Sequence, residues 1–219
     1  MLKLNYKDFD TMDKFFIAEK LGMSTFISEE GEVHPVTILK FQKNVIISLK
    51  RKELFGYDAV LIGYGIQSKS ISKPLQGYYK KVKSSPFQLI KEFKVSSPFD
   101  LFNEGSELLF PFSVSDKIDV RSKSIGKGFS GTIKRYNFNR GPMSHGSKNH
   151  RLPGSIGAGT TPSNVVKGKK MPGHLGDINV CIKNLQLVFL DLNNSLVFLK
   201  GSIPGKNGIV FLTKNWKDI

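Results

Sequence analysis

Hydrophobic positions along this chain gather in short runs, not long ones. Val36–Phe41, Val45–Leu49, Ala59–Tyr64 and Leu108–Val114 are β-branched or aromatic stretches separated by Gly, Pro, Ser and Lys, the pattern of strands. Further along, Asn179–Leu190 reads mainly as strand. Leu187–Leu190 and Leu196–Leu199 flank Asp191-Leu192-Asn193-Asn194-Ser195, whose short polar side chains favour a tight turn, so a hairpin is expected there. Gly201–Gly208 interrupts the pattern before a last strand, Ile209–Leu212. Helix signals are sparse. Met12–Leu21 predicts a short helix ended by Gly22, and Phe87–Phe93 fits either state. Strands this short at this spacing predict a small closed barrel or sandwich.

The middle of the chain breaks the pattern. Residues 120–176 form a window of 57 in which only 14 are apolar or aromatic, about a quarter, against 39% for the whole chain. Such a segment cannot bury enough surface to offset its own ordering entropy. It also holds 11 of the 21 glycines and four of the ten prolines, set in irregular patterns such as GKGFSG, RGPMSHGS and LPGSIGAGTTP. A disordered basic linker and an arm ordered by a partner are both open on composition. The interleaved Phe129, Tyr136 and Phe138, and glycines that let a backbone approach closely, favour the ordered arm.

Charge sharpens the contrast. The chain has 33 Lys and Arg against 18 Asp and Glu, a net charge of +15 and a pI near 9.8. The window contains no Asp or Glu and 11 of the cations, so it supplies +11 of the +15. A balance of this kind points to a polyanion, usually nucleic acid and less often an anionic membrane surface. Two limbs of about 28 extended residues would reach at most ~90 Å, against a radius of gyration near ~17 Å for a compact chain of this length. That reach suits penetration of a large RNA. At 219 residues there is room for one or two domains. One cysteine, Cys181, excludes an internal disulfide framework and a Cys-rich metal site. No apolar run approaches the ~18 residues of a membrane span. Asp8, Asp10 and Asp13 stand where a secretory leader would be apolar, so a soluble, reduced protein is expected.

Catalytic chemistry has little to work with. Gly126-x-Gly128-x-x-Gly131 matches a dinucleotide fingerprint in spacing, but Thr132–Asn139 is basic and aromatic where an amphipathic helix is needed, and no acidic residue follows at ribose distance. Gly201–Asn207 resembles a shortened phosphate loop without its magnesium-binding Ser or Thr, and reads as a turn. His145 and His150 have no acidic neighbour to orient them, and Ser144 and Cys181 have no base. No catalytic residue, metal site or cofactor is assigned. The chemistry that fits is RNA binding. Phosphate contacts are expected from Lys123, Lys127, Lys134, Arg135, Arg140, Lys148, Arg151, Lys167, Lys169 and Lys170. Stacking is expected from Phe129, Tyr136 and Phe138, and hydrogen bonding or stacking from His145, His150 and His174.

One long stretch is more specific than any of these features. SIGKGFSGTIKRYNFNRGPMSHGSKNHRLPGSIGAGTTPSNVVKGKKMPGHLG closely resembles the central extension of the large-subunit ribosomal protein three family in its bacterial and organellar form. The resemblance continues through NVCIKNLQLVFLDLNNSLVFLKGSIPG, and upstream in EKLGMSTFISEEGEVHPVTIL, GYDAVLIGYG and KPLQGYYKK, covering about Phe16 to Val210. It implies a mainly β fold, a six-stranded translation-factor-type β-barrel with a long irregular basic extension arm. Residues 1–14 would be an N-terminal addition, 15–119 the first part of the barrel, 120–176 the arm and 177–219 the C-terminal barrel strands. It also implies a structural constituent of the large ribosomal subunit that binds near the 3′ end of the large-subunit rRNA and nucleates assembly. The arm would extend towards the peptidyl-transferase centre, innermost around Arg151–Val165, with ribosomal proteins fourteen and nineteen as neighbours and no membrane or small-molecule substrate. Lys127, Lys134, Arg135, Lys167, Lys169 and Lys170 match the family's arm cations. Thr160 stands where some bacterial members carry a methylated Gln, so that modification does not carry over.

The motif wording is closest to the cyanobacterial and plastid style. Lys outnumbers Arg 28 to 5, which suggests an A+T-rich genome. A plastid ribosome fits both, with a mitochondrion or a bacterial cytoplasm as the other settings. The alternatives to a ribosomal role are a free-standing RNA-binding or RNA-chaperone factor and a nucleotide-dependent enzyme.

Overall fold

The computed structural model describes residues 14–67, 71–82, 84–96 and 102–214. It contains β1 (Phe15–Ile27), β2 (Val33–Phe41), β3 (Asn44–Lys50), α1 (Lys52–Phe55), β4 (Ala59–Ile66), α2 (Lys73–Val82) and β5 (Phe87–Lys94). These are followed by β6 (Glu107–Leu108), β7 (Lys117–Lys123), β8 (Phe129–Ser130), α3 (Thr132–Tyr136), β9 (Gly173–His174), β10 (Asn179–Asp191), β11 (Leu196–Lys200) and β12 (Gly208–Thr213). The chain divides into two units, one running to Ser122 and resuming at Val180, the other Lys123–Asn179.

The first unit is mainly β. Six strands follow in the order β1-β12-β7-β10-β11-β2, and β1 pairs with β12 along one edge and with β2 along the other. Phe16, Ala18, Leu39, Ile118, Val120, Leu187, Val197, Leu199, Val210 and Leu212 fill one core. A second sheet, β5-β4-β3-β6, contributes Ile46, Val60, Ile62, Tyr64 and Phe93 to another core together with Phe15 and Ile17 of β1. The turn between β10 and β11 holds as expected: the Asp191 carboxylate accepts the backbone N–H groups of Asn193 and Asn194 and the Asn194 side-chain amide.

Two expectations fail. Met12–Leu21 is not a helix: from Phe15 onward it is β1, with residues 12 and 13 outside the described set. The run Phe15, Phe16, Ile17, Ala18 has no polar alternation because its odd and even positions enter different cores, and a strand buried on both faces has no period-2 signature. Leu108–Val114 is strand only at Leu108. Pro111 has no N–H to give a ladder, and Phe110 and Phe112 instead pack as irregular chain onto the first core. The ambiguous Phe87–Phe93 is strand, whereas α2 was not read as a helix nor β7 as a strand.

The Gly201–Gly208 segment is closed by side chains from three strands. Thr37 Oγ1 donates to the Gly201 carbonyl at 2.6 Å, Lys20 Nζ to Ile203 at 2.6 Å and Gly205 at 3.1 Å, and Ser122 Oγ to Pro204 at 2.9 Å. With its carbonyls gathered this way and Ile203 buried in the first core, the segment is a structural turn. A phosphate would need amide donors there.

Candidate nucleic-acid interface

The second unit carries ten Lys and Arg, and its one carboxylate is Asp177. Its polypeptide follows a path set by glycine and backbone pairing. Phe129 pairs with His174 and Ser130 with Gly173 across β8 and β9. The ladder is extended by Lys127 N–H to the Leu175 carbonyl at 2.8 Å and Leu175 N–H to Gly128 at 2.9 Å. Gly176 sits at φ +76, and a Cβ on it would lie 2.0 Å from the Ile125 carbonyl oxygen, so no other residue fits without moving backbone. The dinucleotide-like glycines lead only into α3, five residues long, with Gly131 as its N-terminal flank.

Around α3 and β9 the structure brings together Arg135, Tyr136, Phe138 and Lys170. The Arg135 guanidinium lies 5.0 Å from the Tyr136 ring centroid and the Lys170 ammonium 5.6 Å from it, so one phenol faces two cations. Tyr136 and Phe138 are 6.3 Å apart, centre to centre. Arg135 is fixed by donating to the Met171 carbonyl at 2.8 Å, and a Cβ on Gly173 would fall 2.5 Å from its Nη1. Sequence reasoning selected Arg135, Tyr136, Phe138 and Lys170 but not Gly173 or Met171. Their part depends on β9 lying beside β8, and the one visible trace was a glycine next to a proline.

Elsewhere in the unit the selected residues are spread out. Phe129 is 80% exposed. Lys123, Lys127, Lys134, Arg140, His145, Lys148, Arg151, Lys167, Lys169, Lys170 and His174 are exposed, while Arg135, Tyr136, Phe138 and His150 are half-buried. Among the described residues, the unit's cations make one ion pair, Lys123 with Asp177 at 2.8 Å. The hydrogen bond from Lys123 holds the Asp177 carboxyl below its ordinary value. The His150 ring lies 2.9 Å from the Pro142 carbonyl through Nδ1, and its own carbonyl accepts the Gly141 N–H at 2.9 Å. Gly141 is required by that closeness, since a Cβ there would meet the Asn149 carbonyl oxygen at 1.9 Å. The arrangement can offer many exposed cations and a few aromatic faces to a polyanion.

Comparison with known proteins agrees with this chemistry. Residues 94–191 match the family model for ribosomal protein L3. The large ribosomal subunit protein uL3c of Porphyra purpurea is 48% identical over 195 residues, covering 88% of this chain and 94% of its own. The chain belongs to the ribosomal protein L3 family. It is accordingly a structural ribosomal protein and not an enzyme. A bacterial relative in the family, uL3 of Alkaliphilus metalliredigens, is 43% identical over 202 residues, 91% of this chain and 96% of its own. The uL3c of Arabidopsis thaliana is 43% identical over 196 residues, 88% of this chain and 72% of its own. The matched span 94–191 includes the whole second unit, so the cationic segment lies within what the family model recognises.

Proposed function

We propose that the chain is a component of the large ribosomal subunit that binds large-subunit rRNA through an arm of residues 120–176. The observation that carries this is the second unit's imbalance: ten Lys and Arg against one carboxylate, nearly all exposed. Such a surface is self-repulsive until a polyanion covers it. The sixteen residues selected from sequence, from Lys123 to His174, are its contacts. Cations meet phosphate, and the Tyr136 and Phe129 rings offer faces to unstacked bases. The names of the relatives, large ribosomal subunit proteins from plastids and from a bacterium, support placement in the large subunit and, with the Lys-rich composition, in a plastid ribosome.

The finer reading follows the family resemblance. The six-stranded sheet of the first unit forms a translation-factor-type barrel that docks near the 3′ end of the rRNA. The arm runs towards the peptidyl-transferase centre, and ribosomal proteins fourteen and nineteen lie alongside. In this role the protein nucleates assembly: neutralising phosphates lets RNA segments approach, and the glycines permit close packing.

Sedimentation of the tagged chain through a high-salt gradient, followed by crosslink mapping onto rRNA, tests this. The protein should travel with large subunits and crosslink through the arm. Deleting Arg140–Lys167 should leave the β circular-dichroism signal and yield subunits defective in assembly or peptide transfer. Normal subunits from the deletion would remove the arm's role, and release at high salt would favour the free-standing RNA-binding factor.

A further inference from the structure

A second stretch without carboxylates lies outside the arm. From Ala59 to Lys91 there is no Asp or Glu, and there are six lysines. Its centre is α2, Lys73–Val82, which the sequence marks by family resemblance but not as a helix. One side of α2 is anchored: Tyr79 is buried with Ile47 and Phe87, Tyr78 and Val82 pack on the same cluster, and the Tyr79 hydroxyl accepts the Phe87 N–H at 3.2 Å. At about 100° per residue, Lys73, Gly77, Lys80 and Lys81 fall together on the opposite arc. All four are exposed.

Gly77 is the telling residue. Glycine in a helix interior is unfavourable, and here a Cβ would meet nothing within 4 Å among the described residues, so none of them requires its absence. Its backbone lies bare in the middle of three lysines. We infer that the outer face of α2 is a second RNA-binding surface, on which a ribose–phosphate strand lies against Gly77 between Lys73 and the pair Lys80 and Lys81. The inference rests on the rRNA-binding reading above and adds a site on the first unit. RNA fits better than an acidic protein segment, because a bare helix backbone suits the close approach of a sugar–phosphate edge and the lysines supply charge without fixed directional partners.

The test uses the full-length chain, transcribed large-subunit rRNA, and binding measured between 50 and 200 mM KCl. Three variants are compared: Lys73→Gln with Lys80→Gln and Lys81→Gln; Gly77→Ala alone; and Lys167→Gln with Lys169→Gln and Lys170→Gln in the arm. The α2 lysine variant should lose about tenfold or more in affinity, and its log–log salt slope should fall by about 2–3, at roughly 0.7–0.9 per phosphate contact. Gly77→Ala should raise the unfolding midpoint while weakening rRNA binding, a combination that misfolding cannot produce. Hydroxyl-radical footprints of the α2 and arm variants should lose protection at different rRNA positions. If the α2 variants bind and footprint like wild type while the arm variant is weakened, or if they lose only a protein neighbour in reconstituted subunits, the inference is wrong and the arm's role stands. Failure of the wild-type chain to bind rRNA would overturn the proposed function itself.

Discussion

The ammonium of Lys20 donates to the carbonyl of Ile203 at 2.6 Å, joining β1 to a turn 183 positions away in sequence. The same group reaches Gly205, and Lys20 is only 8% exposed. Lys20→Met keeps most of the side-chain volume and removes every donor. It should destabilise the protein by about 1–3 kcal/mol, the range for losing charge-assisted hydrogen bonds that leave buried carbonyls unpaired. Urea unfolding gives the number; an unchanged midpoint would mean that water replaces the ammonium there at no cost.

Gly63 in β4 faces Phe87 in β5. A Cβ on Gly63 would lie 2.3–2.7 Å from three ring carbons, and the ring is locked in the cluster with Ile47 and Tyr79. Gly63→Ala should therefore cost about 1–3 kcal/mol by overpacking. Phe87→Leu should recover part of that loss in the double variant, giving a coupling term in a thermodynamic cycle.

Asp116 predicts an acid-sensitive step. Its partial burial works against ionisation, but hydrogen bonds from the Ser113 N–H, the Lys214 ammonium and the Ser113 hydroxyl outweigh this, so the carboxyl titrates below its ordinary value. Its contribution is present in full above the unfolded value of about 4 and fades as pH falls towards the folded one. Stability should thus decline below about pH 4, and Asp116→Asn should be less stable at pH 7 with a flatter acid limb. Denaturant midpoints from pH 2.5 to 7 check both statements.

Asp177 should respond in the opposite sense for RNA. It holds Lys123 at 2.8 Å and is the second unit's one carboxylate. Its φ of 57 is one that Asn accepts well. Asp177→Asn should leave the unfolding midpoint in place and tighten rRNA binding with a steeper salt dependence, because Lys123 becomes available to phosphate. The wild-type affinity itself should fall about 10³–10⁵-fold between 50 and 200 mM salt if six to ten cations touch phosphate. Weaker binding by Asp177→Asn would instead give the Lys123 pair a role in shaping the interface.

The strands legible in the sequence were continuous β-branched or aromatic runs bounded by Gly, Ser, Lys or a turn: β2, β3, β4, β12 and the β10–β11 hairpin with Asp191 as its turn residue. β1 was misread because Phe15 and Phe16 enter separate cores, which erases the alternation. β7 was overlooked because only two of its inward positions, Ile118 and Val120, are apolar, too few to stand out among Lys117, Asp119, Arg121 and Lys123. α2 escaped notice because Pro74 and Gly77 argue against a helix, although Tyr78, Tyr79 and Val82 supply one packed face. In the second unit, the exposed cations followed directly from a window without carboxylates. The fit of Arg135 against Gly173 depends on a strand pairing across more than 40 residues, which no local pattern records.

The start of β1, Phe15–Ala18, has no solvent side, and this has a mechanical meaning. This first part of β1 is a party wall: Phe16 and Ala18 face one core, Phe15 and Ile17 the other, and the Asn44 amide seals Ile17 by accepting its N–H and donating to its carbonyl, both at 3.1 Å. Neither sheet can loosen without opening its neighbour's interior, so the two should melt in a single cooperative transition, with the Ile17 amide among the last protons to exchange.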